Sequence, residues 1–591
     1  MNRLLLLVGA CQGWLLWALW KARELKVWPA GDPASERTLL YLGLVLPLAF
    51  YLTENIETLS RQRRTLLLIG VGVLFALLGG YSGWAENVQF SNVGDFLSLP
   101  PARPSDLLAA AILGFVIIPL WSHFDRTAKG GWSYQRLFET AWRNAVMVSA
   151  AAVLTGVFWV ALFAGAMLMK SIGIGFVNEL IQKAIFSIPT TGIVFGAAIA
   201  LGLARADMVV NLRRFWLSIS AWLLPLLLFF SVAWVVALPF TGLELLFKTR
   251  NAGFILLWFI ALSINFANAA YQDGNGEQPY GRLLGKALEY AWPTLLVLAA
   301  VAWWAMKLRI DQHGWTEDRV WGVFILILAT LYAAGYTWSL VVRRAWLSSI
   351  GKANIATALV MVAGLVLLLS PLADARRLSV HSQMGRLLNG EIDADKMDYA
   401  YLRWQAGRYG QEALNTLAAG IGLSDRADKE IIAGKARQML AQTKRYGGNS
   451  GAEALSTDQV RQRIRVLPQG DVAEDTLIKR LQTGSNWDEK RCLQMNAHCL
   501  LWMVDLNEDG LKEVVVIVEK PEHQTNSAFF YHRSAPQEYK YGGTLNLGVG
   551  SDKKLRERML ADIENGSARI VRPQFNDLEI GGRRITTVPV R

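Results

Sequence analysis

The sequence predicts an α-helical polytopic membrane protein of about 11 spans, with an internal three-span duplication and a C-terminal soluble α+β domain. Three observations lead there. The 591 residues are 53% hydrophobic and include 23 Trp, more apolar surface than a soluble chain of this length needs to bury. The charges are divided unevenly. Residues 374–591 hold 32 Lys+Arg and 29 Asp+Glu, which leaves 28 and 19 of the totals of 60 and 48 for the first 373 residues. Two short motifs also recur in the same order. The net charge of +12 splits into +3 for the tail and +9 for the first part, whose basic residues lie mostly between apolar runs. That distribution suits a lipid bilayer with its phospholipid headgroups and argues against nucleic acid as a partner.

Apolar runs long enough to cross a bilayer fall near 4–20, 38–53, 65–84, 106–122, 145–169, 188–204, 216–238, 252–271, 290–308, 320–342 and 350–373. LLLLVGAC at the N-terminus has the look of a lipoprotein signal with Cys11 as the lipidated residue. The hydrophobicity continues past it through WLLWALW, however, so Cys11 reads as an ordinary span residue. Within 171–187, Glu179 and Lys183 stand four apart, which suits an amphipathic helix lying on the membrane and ending at Pro189.

SYQRLFETA (133–141) and PYGRLLGKA (279–287) share Tyr-x-Arg-Leu and a later Ala, each just before a span. LRRFWLS (212–218) and VRRAWLS (342–348) share Arg-Arg-x-Trp-Leu-Ser, each two spans further on. The expected organisation is N-terminal spans 1–4 over residues 1–131, membrane repeat 1 over 132–238, a linking span over 239–277 and membrane repeat 2 over 278–373. With a cytoplasmic N-terminus, the inner loops hold Arg61, Arg63, Arg64, Arg126, Arg136 and Arg143, among others, and all four motifs fall on that face. Lys21, Arg23, Lys26 and Arg37 oppose this assignment. An odd span count then puts the C-terminal tail in the periplasm of a bacterial inner membrane.

Duplicated bundles of this kind occur in transporters, and are also an economical way to build any helical anchor. No Asp or Glu lies in the interior of the apolar runs, where ion-coupled carriers usually keep one. The strongest polar candidates inside spans are Asn265 and Asn268, three apart on one helix face; they suit interhelical hydrogen bonding or an intramembrane polar site. Gly192 and Gly196 suggest close helix packing.

Past Pro371 the chain turns polar. Residues 374–445 read as a helical juxtamembrane segment, 446–454 as a Gly-rich linker, and 446–591 as a periplasmic α+β domain. Its helices are expected at 472–483 and 552–564, and its strands near 499–504, 513–519, 527–533, 541–547 and 584–590. Between two of these strands, DLNEDGLKE sets Asp505, Asn507 and Asp509 two apart, with Gly510 permitting a sharp bend and Glu513 at the ninth position. Such a set, with the Leu511 carbonyl, suits Ca2+ as a structural cofactor. It departs from an EF-hand, which needs a bidentate Glu at position twelve, where this chain has Val516. A metal-free acidic hairpin fits the same residues. Cys492 and Cys499, seven apart, read as a disulfide in an oxidising compartment; a metal site recruiting His498 and a pair of free buried thiols are the alternatives.

No HExxH, GxSxG or P-loop is present, and the expected protein is not an enzyme. His313, with Asp311, Glu317 and Asp318 nearby, reads as a solvated outer loop, with a site at the outer face as the alternative. RIDQHGWTEDRVWG (309–322), the two repeated motifs and DYAYLRWQAGRYGQEAL (398–414) resemble the bacterial multipass membrane proteins grouped as domain of unknown function 4153. The resemblance covers most of 130–420 and implies an inner-membrane location, with no activity attached. The expected function is therefore an envelope anchor or scaffold, presenting its periplasmic domain to a protein or cell-wall partner. The alternative is a transporter or channel. A polar, water-accessible cavity between the two three-span units, lined by Asn265 and Asn268, would favour the alternative, and a solidly packed bundle the anchor.

Overall fold

The computed structural model describes residues 3–54, 56, 59–86, 104–125, 131–244, 252–274, 279–342, 350–423, 426–442, 457–462, 464–468, 470–483, 498–519, 527–535, 538–546, 553–570, 578–580 and 583–585. The chain forms two compact units, Met1–Leu440 and Ala441–Arg591.

The regular elements of the first unit's described residues are all helices. Its membrane part runs α1 (Arg3–Leu25), α2 (Pro33–Thr53), α3 (Arg61–Ala85), α4 (Pro104–Ser122), α5 (Tyr134–Ser171), α6 (Phe176–Gln182), α7 (Ala184–Ala204), α8 (Ala206–Thr241), α9 (Ala252–Tyr271), α10 (Arg282–Ala291), α11 (Pro293–His313), α12 (Glu317–Val342) and α13 (Ile350–Leu368). Among the described residues ten helices are long and apolar enough to cross a membrane, α10 and α11 counting as one. The remaining expected run is α2, a 21-residue helix with Glu36 in its first turn followed by Arg37. Large apolar side chains stay exposed along α5 and α8, among them Val160, Met167, Trp222 and Phe240. Such surfaces belong against lipid.

Two expectations are corrected. Helices α5 and α8 begin about ten residues before their apolar runs. The stretch YQRLFETAWRN keeps Leu137, Phe138, Thr140 and Asn144 buried on one face while Arg136 and Glu139 stay exposed, so amphipathic spacing prolongs the helix beyond the hydrophobic core. The surface helix expected to end at Pro189 is instead interrupted at Lys183, whose backbone is extended, and Pro189 lies inside α7. Glu179 and Lys183 therefore do not share a helix face. The proline is accommodated at a close crossing, where a Cβ on Gly13 would come within 2.6 Å of the Pro189 Cα.

That crossing joins α1 to α7 through two Gly-x-x-x-Gly pairs, Gly9/Gly13 and Gly192/Gly196. A Cβ on Gly9 would meet the Gly192 carbonyl oxygen at 2.3 Å, and one on Gly196 the Leu5 carbonyl oxygen at 2.7 Å. Small residues let the backbones touch where lipid offers no hydrophobic drive for association. Gly79 and Gly83 of α3 do the same against Arg37 and Pro33 of α2. The buried Arg37 at this junction pairs with Glu86 just past α3.

Beyond α13 the chain turns into α14 (Ala375–Leu388), α15 (Tyr399–Trp404), α16 (Gly407–Ala418) and α17 (Lys429–Ala441), which share a core around Leu387, Leu402, Leu414 and Ile432. Asp374 caps α14, accepting from the Arg376 and Arg377 amides, and pairs with the Arg376 guanidinium at 2.8 Å while both are buried. It also accepts from the Tyr81 hydroxyl of α3 at 2.7 Å, and Tyr81 in turn meets Tyr409 of α16 at 2.9 Å. Burial alone would raise the Asp374 pKa, but the hydrogen bonds and charge of Arg376, with the Tyr81 hydroxyl, outweigh it and hold the carboxyl below its ordinary value.

The second unit holds α18 (Thr457–Arg461), β1 (Ile464–Leu467), α19 (Asp475–Thr483), β2 (His498–Val504), β3 (Glu513–Glu519), β4 (Ser527–Ala535), β5 (Glu538–Asn546), α20 (Lys553–Glu564), β6 (Leu578–Ile580) and β7 (Arg583–Ile585). The main sheet has the order β1-β2-β3-β4-β5, parallel only between β1 and β2. Leu477, Ile478 and Leu481 of α19 cover the face carrying Leu501, Val514 and Val516, while Ile563 of α20 covers the face carrying Leu500, Val515 and Ile517. A sheet buried on both faces needs apolar residues without alternation, which is why β3 reads EVVVIVE. Strand β1 was not expected from the sequence, and the strand expected to extend to 590 is described only over 583–585.

Gly9→Leu is expected to destabilise the membrane unit by about 1–3 kcal/mol through forced separation of α1 and α7. Gly156→Leu, where a Cβ meets nothing within 4 Å, is expected to be neutral. Thermal unfolding in detergent checks both. Because the folded Asp374 pKa is depressed, its stabilisation is present above the ordinary Asp value of about 3.9 and is lost as pH falls through the folded value. Asp374→Asn strands a buried guanidinium and is expected to cost about 3–5 kcal/mol, with Asp374→Leu/Arg376→Met recovering most of it. Melting as a function of pH for the parent chain and these variants reads out both effects.

Candidate functional site

The polar residues inside the bundle converge where α5, α9, α12 and α13 meet. Asn354 of α13 donates through Nδ2 to the Asn268 side-chain oxygen on α9 at 2.5 Å and to the Tyr134 hydroxyl at the start of α5 at 2.9 Å. Its own oxygen accepts from the Tyr336 hydroxyl of α12 at 3.0 Å, and the Tyr134 hydroxyl donates to Asn268 at 3.5 Å. Tyr336 is fully buried, with Trp292 edge-on to it at 5.5 Å. Four helices are thus tied by amides and phenols near their ends, on the face that carries the Tyr-x-Arg-Leu motif.

Beside this network lies a cavity of about 380 Å3 bounded by α4, α5, α9, α12 and α13. Asn265, Asn268, Asn354 and Tyr134 border it on the polar side, and Phe115, Leu137, Phe138 and Ile355 are among its apolar walls. Among the described residues no charged side chain lines it. The structure brings Asn265 and Asn268 to the same cavity but divides their parts. Asn268 is bonded into the network, whereas Asn265 is exposed on the cavity wall. Sequence reasoning missed Asn354, Tyr336 and the role of Tyr134. The available signals were a lone amide in the apolar run KANIATALV and the first residue of the Tyr-x-Arg-Leu motif.

The two copies of that motif make reciprocal contacts. A Cβ on Gly351 of α13 would meet the Tyr134 ring at 3.0 Å. Tyr280, the equivalent tyrosine, donates its hydroxyl to the Ala221 carbonyl of α8. Aligning Arg213-Arg214 with Arg343-Arg344 makes Ala221 and Gly351 corresponding positions. Residues 343–349 themselves lie outside the described residues.

A second, larger cavity of about 790 Å3 lies between the α11–α12 turn and α14–α15. His313, Glu317 and Asp318 line it with Arg386, Asp398 and Tyr401. Several of these groups are engaged: Tyr401 donates to Glu317 at 2.8 Å, and Arg386 donates to the Gln312 carbonyl at 3.0 Å. Asp311 is not in this wall and pairs with Lys307 at 2.5 Å.

In the second unit, the acidic loop joins β2 to β3, whose last register pair is Val504 with Glu513. Asp505 accepts from the Asp509 and Gly510 amides at 3.2 and 2.8 Å, and Asp509 accepts from the Leu511 amide at 2.7 Å. Glu508 and Gly510 have positive φ, +60° and +86°, which closes the turn. The Asn507 side chain donates to Asp509 at 2.8 Å. Among the described residues no three His, Cys, Asp or Glu side chains are grouped as a metal cage. Cys499 is buried on β2 and disulfide-bonded, Cys492 lies outside the described residues, and Cys11 is a free thiol.

A family model described as Domain of unknown function (DUF4153) matches residues 39–417, nearly two thirds of the chain and most of the first unit. No curated protein and no solved structure matches. Asn354→Leu is expected to lower stability in detergent by about 1–2 kcal/mol, since it strands the Tyr336 hydroxyl and removes the bond to Asn268. Asn265→Leu, on the cavity wall, is expected to change it by less than about 0.5 kcal/mol. Paired melting curves check the contrast.

Proposed function

The chain belongs to the DUF4153 family, and from its cavity we propose that the membrane unit is a carrier for an uncharged amphipathic molecule. The observation that carries the proposal is the gap of about 380 Å3 walled by Phe115, Leu137, Phe138 and Ile355 and bordered by three asparagines and Tyr134. Pockets of this kind hold a ligand by apolar contact and orient it with a few polar groups. Amides and a phenol recognise hydroxyl or amide headgroups, and the lining among the described residues offers no charge to pair with an ion.

The reciprocal contacts of Tyr134 with Gly351 and of Tyr280 with Ala221 support a duplicated three-span unit, in which each copy's first helix docks on the other's third. The cavity then lies where one copy's first helix meets the other copy. On the Lys/Arg distribution we assign the protein to the bacterial inner membrane, N-terminus cytoplasmic and C-terminal domain periplasmic.

The test uses the full chain in phosphatidylcholine nanodiscs with a monoacylglycerol carrying a photoactivatable diazirine in its acyl chain. Saturable labelling of α4, α5 and α13, competed by unlabelled monoacylglycerol and reduced about tenfold by the cavity-filling Ala358→Trp, is the expected result. Labelling spread over the outer faces of α5 and α8, without saturation and unchanged in Ala358→Trp, would return the bundle to an anchor.

A further inference from the structure

We infer that the loop 505–513 is a calcium site in which Glu513 is the buried ligand. The inference is independent of the carrier reading. Four acidic residues, Asp505, Glu508, Asp509 and Glu513, share this nine-residue loop with one base, Lys512. Lys512 is turned away onto Asp471 at 2.8 Å, so it leaves the loop's negative charge uncompensated.

An acidic turn alone carries no such conclusion, because Asp and Asn cap turns without any ion. The deciding group is Glu513, which is 1% exposed. One carboxylate oxygen, Oε2, accepts from the Leu506 amide at 2.7 Å, and since Leu506 lies between Asp505 and Asn507, the carboxylate is aimed into the loop. The other, Oε1, is fully buried and has no hydrogen-bond partner among the described residues. A buried carboxylate oxygen without a donor is among the more expensive arrangements a protein can hold, and a cation at that point relieves it.

The other donors that the loop offers are hard oxygens, not gathered round one point in this structure: the Asp505 and Asp509 carboxylates, the Asn507 side-chain carbonyl and the Leu511 backbone carbonyl. A set of mixed carboxylate and carbonyl oxygens on a flexible turn suits Ca2+, which takes six to eight ligands in irregular geometry, better than Mg2+, which demands an octahedron and keeps its waters. Glu513 is the preset member, held by β3 and by Leu506. Asn507 and Asp509 are exposed side chains that re-aim from each other onto the ion. Binding would join the facing ends of β2 and β3, and so stabilise the sheet by mass action.

The experiment uses the full chain in detergent and Tb3+ as the probe, excited through tryptophan; Trp502 lies on β2 three residues before Asp505. The expected result is a saturable Tb3+ signal displaced by Ca2+ and not by equal Mg2+, with affinity lowered at least about tenfold in both Glu513→Gln and Asp509→Ala. Asp509 is an exposed loop residue, so that variant keeps the test sound even where Glu513→Gln fails to fold. A signal that does not saturate, or one that Asp509→Ala leaves unchanged, overturns the inference.

Discussion

The hydrogen bond from Asn354 to Asn268 is the interaction on which the membrane unit's interior arrangement depends. A buried amide needs a hydrogen-bonding partner, and here each polar group drawn between the helix ends is met by another from a neighbouring helix. Asn354 meets three at once, on α5, α9 and α12. That fixes where these helices stand, and leaves between them a space with one polar side.

Elsewhere the lipid imposes a different solution. Lipid tails are as apolar as leucine, so helices gain little by hiding apolar side chains from them, and association rests on contact between backbones. Gly9, Gly13, Gly192 and Gly196 supply it between α1 and α7, Gly79 and Gly83 between α2 and α3. These crossings lie away from the cavity. The cavity is walled instead by helices bearing Phe, Leu, Tyr and Asn, whose side chains hold the backbones apart. Past the last span, the buried Asp374–Arg376 pair with Tyr81 and Tyr409 joins α14 and α16 to α3, and so ties the helical extension to the bundle within one unit.

The second unit obeys the rules of water. Its sheet is covered by α19 on one face and α20 on the other, and the apolar run of β3 serves both. Glu513 breaks that run at its first residue. A carboxylate placed at the edge of an apolar strand and sealed from solvent needs a reason, and the oxygen-rich loop beside it supplies one.

By itself the sequence determined the membrane class, nearly every span and most of the strands. Each of these follows from local composition and period, which a chain carries in consecutive residues. It also marked Asn265 and Asn268, because an amide in an apolar run is conspicuous wherever it folds. Only the tertiary structure decided that Asn268 bonds while Asn265 faces the cavity, and that the partners are Asn354, Tyr134 and Tyr336, up to 220 residues apart. It alone placed Pro189 inside α7, where α1 approaches it at Gly13. Partner choice across helices depends on rotation and register between elements, and no period within one helix records the face of another.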